Sequence, residues 1–351
     1  MELVDILKMV APGTQIREGI ENILNAKTGG LIVIGDGKEV LNILDGGFYV
    51  NVEFTPARLY ELAKMDGAII LSEDLKQILY ANAQLLPEKS ITTNETGTRH
   101  RTAERVAKQT GKTVISISQR RGIITIYQKD FKYVLQDTSK VLAKTNQALQ
   151  TVEKYQQVFS EKINILNEYE FNDIVTLINV VETIQRAEML MRVADEVQKS
   201  IYELGTEGRL LKMQLDELTN GVEDEEKLII KDYIIKNNDS EKVYQKIREL
   251  KNEELMKNQV IANALGYKNL TDNFDDYTVK TSGYRIISKV PRVPSYIVEN
   301  IIKKYKSLQK ILASNIKELD EVDGIGEIRA KTIVQTLRKM QEQFTFDTMI
   351  V

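Results

Sequence analysis

No proline occurs between Pro87 and Pro291, and within that span residues 138–220 place apolar side chains among charged ones at the spacing of an amphipathic helix. Proline locks φ and removes a backbone donor, so a long stretch without it leaves helices free to run. Val141, Leu142, Leu149, Val152, Tyr155, Val158 and Phe159 form one apolar stripe, which Ile163 and Leu166 extend. Glycine is scarce there, and Gly205, Gly208 and Gly221 mark helix ends. The pattern predicts an all-α helical spacer over 139–285. It closes in a soft stretch rich in Asn, Asp and Thr from Gly266 to Gly283. The charges on these helices read as solvated faces, and no chemistry is assigned to them.

The residues before the spacer, 1–138, mix helix and strand signals. A short helix over 2–9 is broken at Pro12-Gly13, and Thr14 caps a second with Ile16, Ile20, Ile23 and Leu24 on one face, ended by Gly29-Gly30. Apolar runs at 31–34, 68–71 and 78–81 read as strands, as do the segments 113–117 and 123–127 flanking the turn Arg120-Arg121-Gly122. A helix over 102–109, stopped by Gly111, precedes the last two. This predicts an α/β domain with a mixed sheet between helices.

A third region, 286–351, is locally basic, with Lys289, Arg292, Lys303, Lys304, Lys306 and Lys310 against Glu299 up to Asn315. It then reads as an apolar helix, the turn Val322-Asp323-Gly324-Ile325-Gly326, and a second helix. Glycines at 324 and 326 permit close backbone approach, so N–H groups at the helix start can point at one phosphate, with Arg329 and Lys331 adding charge. Leu319, Val322, Ile325, Ala330 and Ile333 fall where a small hairpin core needs apolar or small residues. The turn resembles the helix-hairpin-helix motif of DNA repair proteins, beside which a plain αα-hairpin with a glycine turn stands as the alternative.

Bulk properties exclude several classes. The chain has no cysteine, so disulfides, thiolate metal sites and cysteine nucleophiles are out. A net charge of -3 confines any nucleic-acid contact to local patches. No run reaches the length of a membrane span and the N-terminus lacks a signal-peptide pattern, so a cytoplasmic protein with no membrane partner is expected. A Walker-type phosphate loop is missing.

Two segments carry chemistry. Thr96-Gly97-Thr98 followed by Arg99-His100-Arg101 sets donors at a helix start, where the dipole and free N–H groups favour phosphate and arginine forks can grip it. Pairing of those arginines with Glu95 and Glu104 is the competing reading. Asp66-Gly67-Ala68 opens a strand with an aspartate and leaves room for a flat ligand, although Asp-Gly is also a common turn. Together with the turn Ser118-Gln119-Arg120-Arg121-Gly122, these suggest nucleotidyl transfer, with the aspartate holding a divalent cation.

The combination of DGA at 66–68, GTRHR at 97–101, the serine-arginine turn at 118–121, a long helical middle and the terminal hairpin resembles the DNA integrity scanning family of diadenylate cyclases. The resemblance spans essentially the whole chain. It implies condensation of two ATP into cyclic di-AMP with release of two pyrophosphates, dependent on Mg²⁺ or Mn²⁺, in a homo-octamer whose cyclase domains meet face to face within two stacked tetramers. It also implies that the C-terminal domain binds branched DNA such as recombination intermediates, in association with the nucleoid, and that this binding suppresses synthesis. On the matching positions, Asp66 becomes the metal ligand and activates the 3′-hydroxyl, and Gly67 and Ala68 shape the nucleotide pocket. Thr98, Arg99, His100 and Arg101 hold phosphates, some on the partner subunit's nucleotide, and Ser118 and Arg121 complete that site. Leu85 and Thr102 line the pocket, and Gly324, Ile325 and Gly326 match the DNA-binding hairpin. An acidic residue is expected where Gln119 stands.

In-line attack on an α-phosphate requires the 3′-hydroxyl opposite the departing pyrophosphate, so the chemistry needs two ATP molecules on two sites related by a two-fold axis. A non-enzymatic DNA-binding scaffold and an ATP-binding sensor without turnover are the alternatives. Neither scaffold assembly nor oligomerisation requires Asp66 or Arg99-His100-Arg101.

Overall fold

A computed structural model describes residues 3–235, 238–268, 274 and 276–346. The chain divides into two compact units, one formed by the residues up to Asn146 together with Gln198–Lys212, the other by Gln147–Val197 together with the residues from Met213 onward.

The first unit is built on helices α1 (Leu3–Met9), α2 (Gln15–Asn25), α3 (Lys38–Leu41), α4 (Pro56–Leu62) and α5 (Thr98–Thr110), and strands β1 (Gly30–Ile34), β2 (Leu44–Asp45), β3 (Phe48–Glu53), β4 (Ala68–Leu71), β5 (Gln77–Leu85), β6 (Thr113–Ser118), β7 (Ile123–Gln128) and β8 (Phe131–Leu135). The strands form one sheet in the order β2-β5-β4-β1-β6-β7-β8, with β3 also paired to β5. Only β1 and β4 run parallel; the other pairings are antiparallel, so the sheet is mixed. Thr14 caps α2 by accepting the Arg17 N–H at 3.2 Å, and Thr55 with Pro56 starts α4 in the same way. Helix α2 ends at Asn25 and not at Gly29-Gly30, because Gly30 is already the first residue of β1.

Both faces of the sheet are covered, which explains why β1 and β4 are continuous apolar runs. Ile32, Ile34, Ile69, Leu71, Ile115 and Ile117 pack with Ile6, Ile16, Ile20 and Ile23 of α1 and α2 on one face. Leu31, Val33, Ala68, Ile70 and Val114 pack under Ala103, Val106 and Ala107 of α5 on the other. Each such fully buried aliphatic side chain contributes about 1.5–3 kcal/mol, so α5 is held firmly against the sheet. Its N-terminus is thereby fixed beside the ends of β4 and β6.

The chain continues as α6 (Thr138–Asn172) and α7 (Leu177–Leu204), which contribute residues to both units, then a 3₁₀ turn over Gly205–Gly208 and α8 (Arg209–Thr219), α9 (Val222–Tyr233), α10 (Ser240–Arg248), α11 (Asn252–Leu255) and α12 (Asn258–Leu265). The three glycines expected at helix ends lie there: Gly205 and Gly208 bound the 3₁₀ turn, and Gly221 precedes α9 at φ +73°. Of the soft stretch 266–283, residues 269–273 and 275 lie outside the described residues; Thr278 forms an isolated bridge with Thr176.

The second unit ends in α13 (Tyr284–Ser288), α14 (Ser295–Tyr305), α15 (Leu308–Ala313), α16 (Ile316–Asp320) and α17 (Glu327–Phe346). Leu319, Val322, Ile325, Ala330 and Ile333 are all buried in one cluster, as their spacing predicted. The α16-turn-α17 hairpin has a counterpart in α13-turn-α14. Val290, Val293, Val298 and Ile301 occupy the places of Val322, Ile325, Ala330 and Ile333, and Arg292, at φ +63°, stands where Gly324 has φ +81°. The sequence reading missed this second hairpin because prolines, not glycines, flank its turn.

Candidate active site and nucleic-acid interface

Helix α5 starts at Thr98, a full turn before the predicted 102. Gly97 caps it with extended backbone and no side-chain hydrogen bond, and its first turn holds no acidic residue. The Arg101 N–H is the first to close onto the helix, donating to the Gly97 carbonyl at 2.9 Å. The N–H groups ahead of it therefore lack intrahelical partners, and the dipole favours an anion there. The earlier start puts Arg99, His100 and Arg101 on helical spacing. His100 falls on the buried face with Ala103 and Ala107, and Arg101 is exposed on the opposite one.

His100 Nδ1 is hydrogen-bonded to Ser116 Oγ on β6, and its Nε2 is buried with no partner among the described residues. Burial lowers its pKa, and the charges of Arg121, Lys132 and Arg99 push the same way against Glu95. The ring is thus held neutral at the edge of a cationic site.

The carboxylates that the sequence offered as partners for the arginines are engaged elsewhere. Glu95 accepts from Tyr127 Oη at 2.8 Å and pairs with Lys132. Burial works against its charged form, yet those two hydrogen bonds hold its pKa below the usual range. Glu104 pairs with Lys108 at 2.8 Å and accepts from Thr93. Among the described residues, Arg99, Arg101, Arg120 and Arg121 have no ion-pair partner.

Two cavities meet at this helix start. One, of about 510 Å³, is lined by Thr96, Gly97, Thr98, Arg99, His100 and the turn from Ser118 to Arg121. In that turn Ser118 Oγ accepts the Arg121 N–H at 3.3 Å, and Gly122 reverses the chain at φ +60°. The other, of about 630 Å³, is lined by Asp66, Gly67, Ala68, Asn82, Leu85, Thr98, Arg99 and Thr102, among others. Thr98 and Arg99 belong to both. The proposed DGA, TRH and serine-arginine residues, together with Leu85 and Thr102, are thereby gathered around two adjoining cavities; Arg101 lines neither.

The exposed Asp66 carboxylate has no hydrogen-bond or ion-pair partner among the described residues. Gly67 is required by space, since a Cβ there would come 2.3 Å from the Asn82 backbone. Sequence reasoning missed Asn82 and Gly29. A Cβ on Gly29 would meet Arg99 Nη1 at 1.9 Å, so this bare backbone is where the guanidinium lies. No local motif marks either residue.

No group of three or more acidic or histidine side chains capable of holding a metal occurs among the described residues. A lone carboxylate beside a phosphate-sized hollow still fits Mg²⁺ or Mn²⁺, because such ions take one or two carboxylates and complete their shell with substrate phosphates and water.

At the far end of the chain, Gly326 has open space where a Cβ would go, and Arg329 donates to the Gly324 carbonyl at 2.5 Å. A cavity of about 570 Å³ is lined by Pro291 and Arg292 of the first hairpin and by Gly326, Glu327, Ile328, Arg329 and Thr332 of the second. The basic run is partly neutralised: Lys289 pairs with Glu225 at 2.7 Å and Lys304 with Glu321 at 3.0 Å. Arg292, Lys303, Lys306, Lys310, Arg329 and Lys331 have no ion-pair partner among the described residues.

The chain resembles known proteins over its first two regions and over nearly its full length. Residues 17–131 match the family profile described as DisA bacterial checkpoint controller nucleotide-binding, and residues 135–274 match the DisA bacterial checkpoint controller linker region. The chain is 55% identical over 348 residues to the DNA integrity scanning protein DisA of Acetivibrio thermocellus, covering 99% of this chain and 96% of that protein. It is 53% identical over 350 residues to the protein of that name from Clostridium botulinum, with 100% and 98% covered, and 53% identical over 352 residues to that of Clostridium tetani, with 100% and 97% covered. No described helix is long and apolar enough to cross a membrane. The chain belongs to the DNA integrity scanning protein DisA family, and it is a diadenylate cyclase.

Proposed function

We propose that the adjoining cavities hold one ATP, with its sugar beside Asp66, Gly67 and Ala68 and its phosphates against Thr98, Arg99, His100, Ser118 and Arg121. The observation that carries this reading is the pairing of a free carboxylate at one end of the hollow with unpaired guanidiniums at the other. An in-line attack needs the 3′-hydroxyl of one ATP opposite the diphosphate of another, so two copies of the site face each other across a two-fold axis. The exposed Arg101 reaches the nucleotide of the partner subunit. Each 3′-oxygen forms a bond to the other molecule's α-phosphorus as the bond to its diphosphate breaks. Two such events close the ring of cyclic di-AMP and release two diphosphates.

When bound, Mg²⁺ or Mn²⁺ supplies Lewis-acid polarisation and neutralises phosphate charge, and Asp66 is the residue that holds it. Arg99 and Arg121 offset the charge that grows as diphosphate departs. In the tautomer where Ser116 donates to Nδ1, the neutral His100 ring carries its proton on the buried Nε2 and serves as an uncharged wall of the phosphate cavity. Thr102 and Leu85 wall the nucleoside end.

The glycine hairpin of α16 and α17 binds branched DNA such as recombination intermediates, and this suppresses synthesis. Open backbone at Gly326 and the unpaired cations around it support a grip on phosphates that does not read bases. The full assembly is an octamer of two face-to-face tetramers, cytoplasmic and associated with the nucleoid when on DNA. The domains are a cyclase over 1–138, a helical spacer over 139–285 and a DNA-binding domain over 286–351.

Incubating the purified protein with ATP and Mn²⁺ and identifying products by mass tests the catalytic reading. Cyclic di-AMP with two equivalents of diphosphate is expected. Unaltered ATP leaves a sensor or a scaffold, and full turnover by a strictly monomeric variant overturns the two-site geometry.

A further inference from the structure

We infer that Asn82 is the positioning residue for Asp66: it fixes the path of the Asp66-Gly67 turn, and with it the place from which the carboxylate reaches a cation. The inference rests on the reading of Asp66 as the metal-holding residue. Asn82 lies on β5 at φ +53°, a left-handed conformation that Asn tolerates better than most residues. It sits at a bulge. Ala68 pairs with Ala83 but Ile70 pairs with Tyr80, so β5 carries one more residue than β4 between those pairs. Bulges of this kind bend a strand and re-aim the side chains beside it.

Two contacts tie the bulge to the turn, and a third holds it from the other side. Asn82 Oδ1 accepts the Gly67 N–H at 3.2 Å. The Asn82 Cα and carbonyl carbon lie 2.5 and 2.3 Å from where a Gly67 Cβ would be, so the two backbones cross in direct contact. On the other side, Gly47 at φ +81° leaves its own Cβ space to Ala83 Cα and the Ala81 carbonyl, at 2.8 and 2.9 Å. The bulge is pinned between two glycines and cannot shift without moving both. Asn82 lines the same cavity as Asp66, so what it holds is the wall of the site itself. Among the described residues no ladder hydrogen bond anchors Asp66, which precedes β4, and the side-chain bond on its turn is the one that Asn82 accepts.

The test separates the hydrogen bond from the backbone conformation. Asn82→Gly keeps the left-handed φ and removes only the acceptor, whereas Asn82→Asp keeps both. For Asn82→Gly, kcat is expected to fall about 10-fold with KM for ATP changed less than about twofold, the size of one lost hydrogen bond expressed at the reacting end alone. Titration of Mn²⁺ against protein saturated with a non-hydrolysable ATP analogue, read by the electron paramagnetic resonance of free Mn²⁺, should show weakened metal binding, with affinity for the analogue in metal-free buffer unchanged. Asn82→Asp should keep turnover within about threefold of the parent. Asp66→Asn is run beside them. Should it be inactive while Asn82→Gly keeps full kcat and Mn²⁺ affinity, the positioning role is wrong and the reading of Asp66 stands. If Asp66→Asn itself keeps full turnover, that reading falls and the inference with it. A rise in KM alone for Asn82→Gly makes Asn82 a pocket wall and also overturns the proposal.

Discussion

Arginine serves two opposite purposes in this chain. At the start of α5 and in the turn after β6, Arg99, Arg101, Arg120 and Arg121 stand without acidic partners among the described residues, although glutamates are close in sequence. In the second unit, Arg285 is fully buried and doubly paired, with Glu170 at 2.5 Å and with Glu225 at 2.9 Å, the latter shared with Lys289. Around it Tyr233 donates to Glu170 at 2.7 Å, and Asp232 accepts the N–H groups of Gly283, Tyr284 and Arg285 at 2.6–2.9 Å. A cation taken out of water must be matched by anions, whereas one at a cavity mouth can stay hydrated until an anionic ligand arrives. Charge pairing marks the structural arginine, although its buried Nε has no partner among the described residues, and the lack of pairing beside a hollow marks the binding one.

The largest effect should follow from breaking the charge-paired cluster. Arg285→Ala strands Glu170, which is fully buried, and should destabilise the second unit by about 3–5 kcal/mol. Denaturant unfolding followed with a probe in that unit checks it, and a loss under about 1 kcal/mol would mean that the pairing matters little. Cyclic di-AMP synthesis per folded molecule should stay near the parent value, since no residue of the network lines either cavity.

Next in size is the opposite experiment at the unsatisfied site. Asp66→Asn removes a carboxylate that makes no hydrogen bond among the described residues, so the melting temperature should hardly move. Turnover should drop on the order of 10²-fold or more, because charge stabilisation at the reacting centre goes with it. Product formation measured by mass against time decides it, and undiminished synthesis would remove Asp66 from the mechanism.

The contrast between the two regions also sets how much could be read in advance. Buried runs such as Leu31 to Ile34 and Ala68 to Leu71 announce themselves because both faces of their sheet are covered. Strand β3 was missed: its FYVNVE is largely exposed, and pairing with β5 holds it rather than burial. Strand β8 was overlooked for a related reason, as its alternating FKYVL buries one side only. The spacing places the start of α5 four residues late because Thr98, His100 and Thr102 are weak helix formers, and the extended Gly97 cap is visible only in the backbone. The site motifs were legible as residue types. What was not legible is which cations lack partners, since Lys132 and Lys108 claim Glu95 and Glu104 through tertiary packing or across a helical turn. Asn82 and Gly29 depend wholly on neighbours distant in sequence.

A smaller effect should separate conformation from contact at the C-terminal hairpin. Gly324 needs its positive φ, so replacing it strains the turn whatever it binds. Gly326 has ordinary φ and open space about it, so Gly326→Val costs the fold little but puts a side chain where a phosphate would approach. Binding to branched DNA should weaken about 10-fold, equally for all sequences, with ATP turnover intact. Unchanged affinity in a salt-controlled titration would move the DNA contact away from this turn.

The smallest effect belongs to a buried acid that looks like an exception. Glu226 on α9 is fully buried, and neither carboxylate oxygen has a hydrogen-bond partner among the described residues. Arg192 and Arg248 lie nearby but give their hydrogen bonds to Glu188, Asp195, Asn252 and the carbonyls of Ile247 and Arg248. Burial first, and then the charge of Glu188, raises the Glu226 pKa well above the carboxylate range, with Arg248 opposing. The side chain is therefore a neutral acid, and it keeps to the rule that a buried charge is paired. Glu226→Gln swaps one neutral group for another of the same shape and should change stability by less than about 1 kcal/mol below the unfolded value near 4.5, where the acid is protonated in both states. A raised folded pKa contributes stability that is whole below the unfolded value near 4.5 and is lost as pH climbs through the folded value. The parent should therefore lose stability relative to Glu226→Gln as pH is raised. Melting curves of both proteins across that range test this, and a glutamine variant strongly destabilised at neutral pH would show that Glu226 is charged and held by a partner after all.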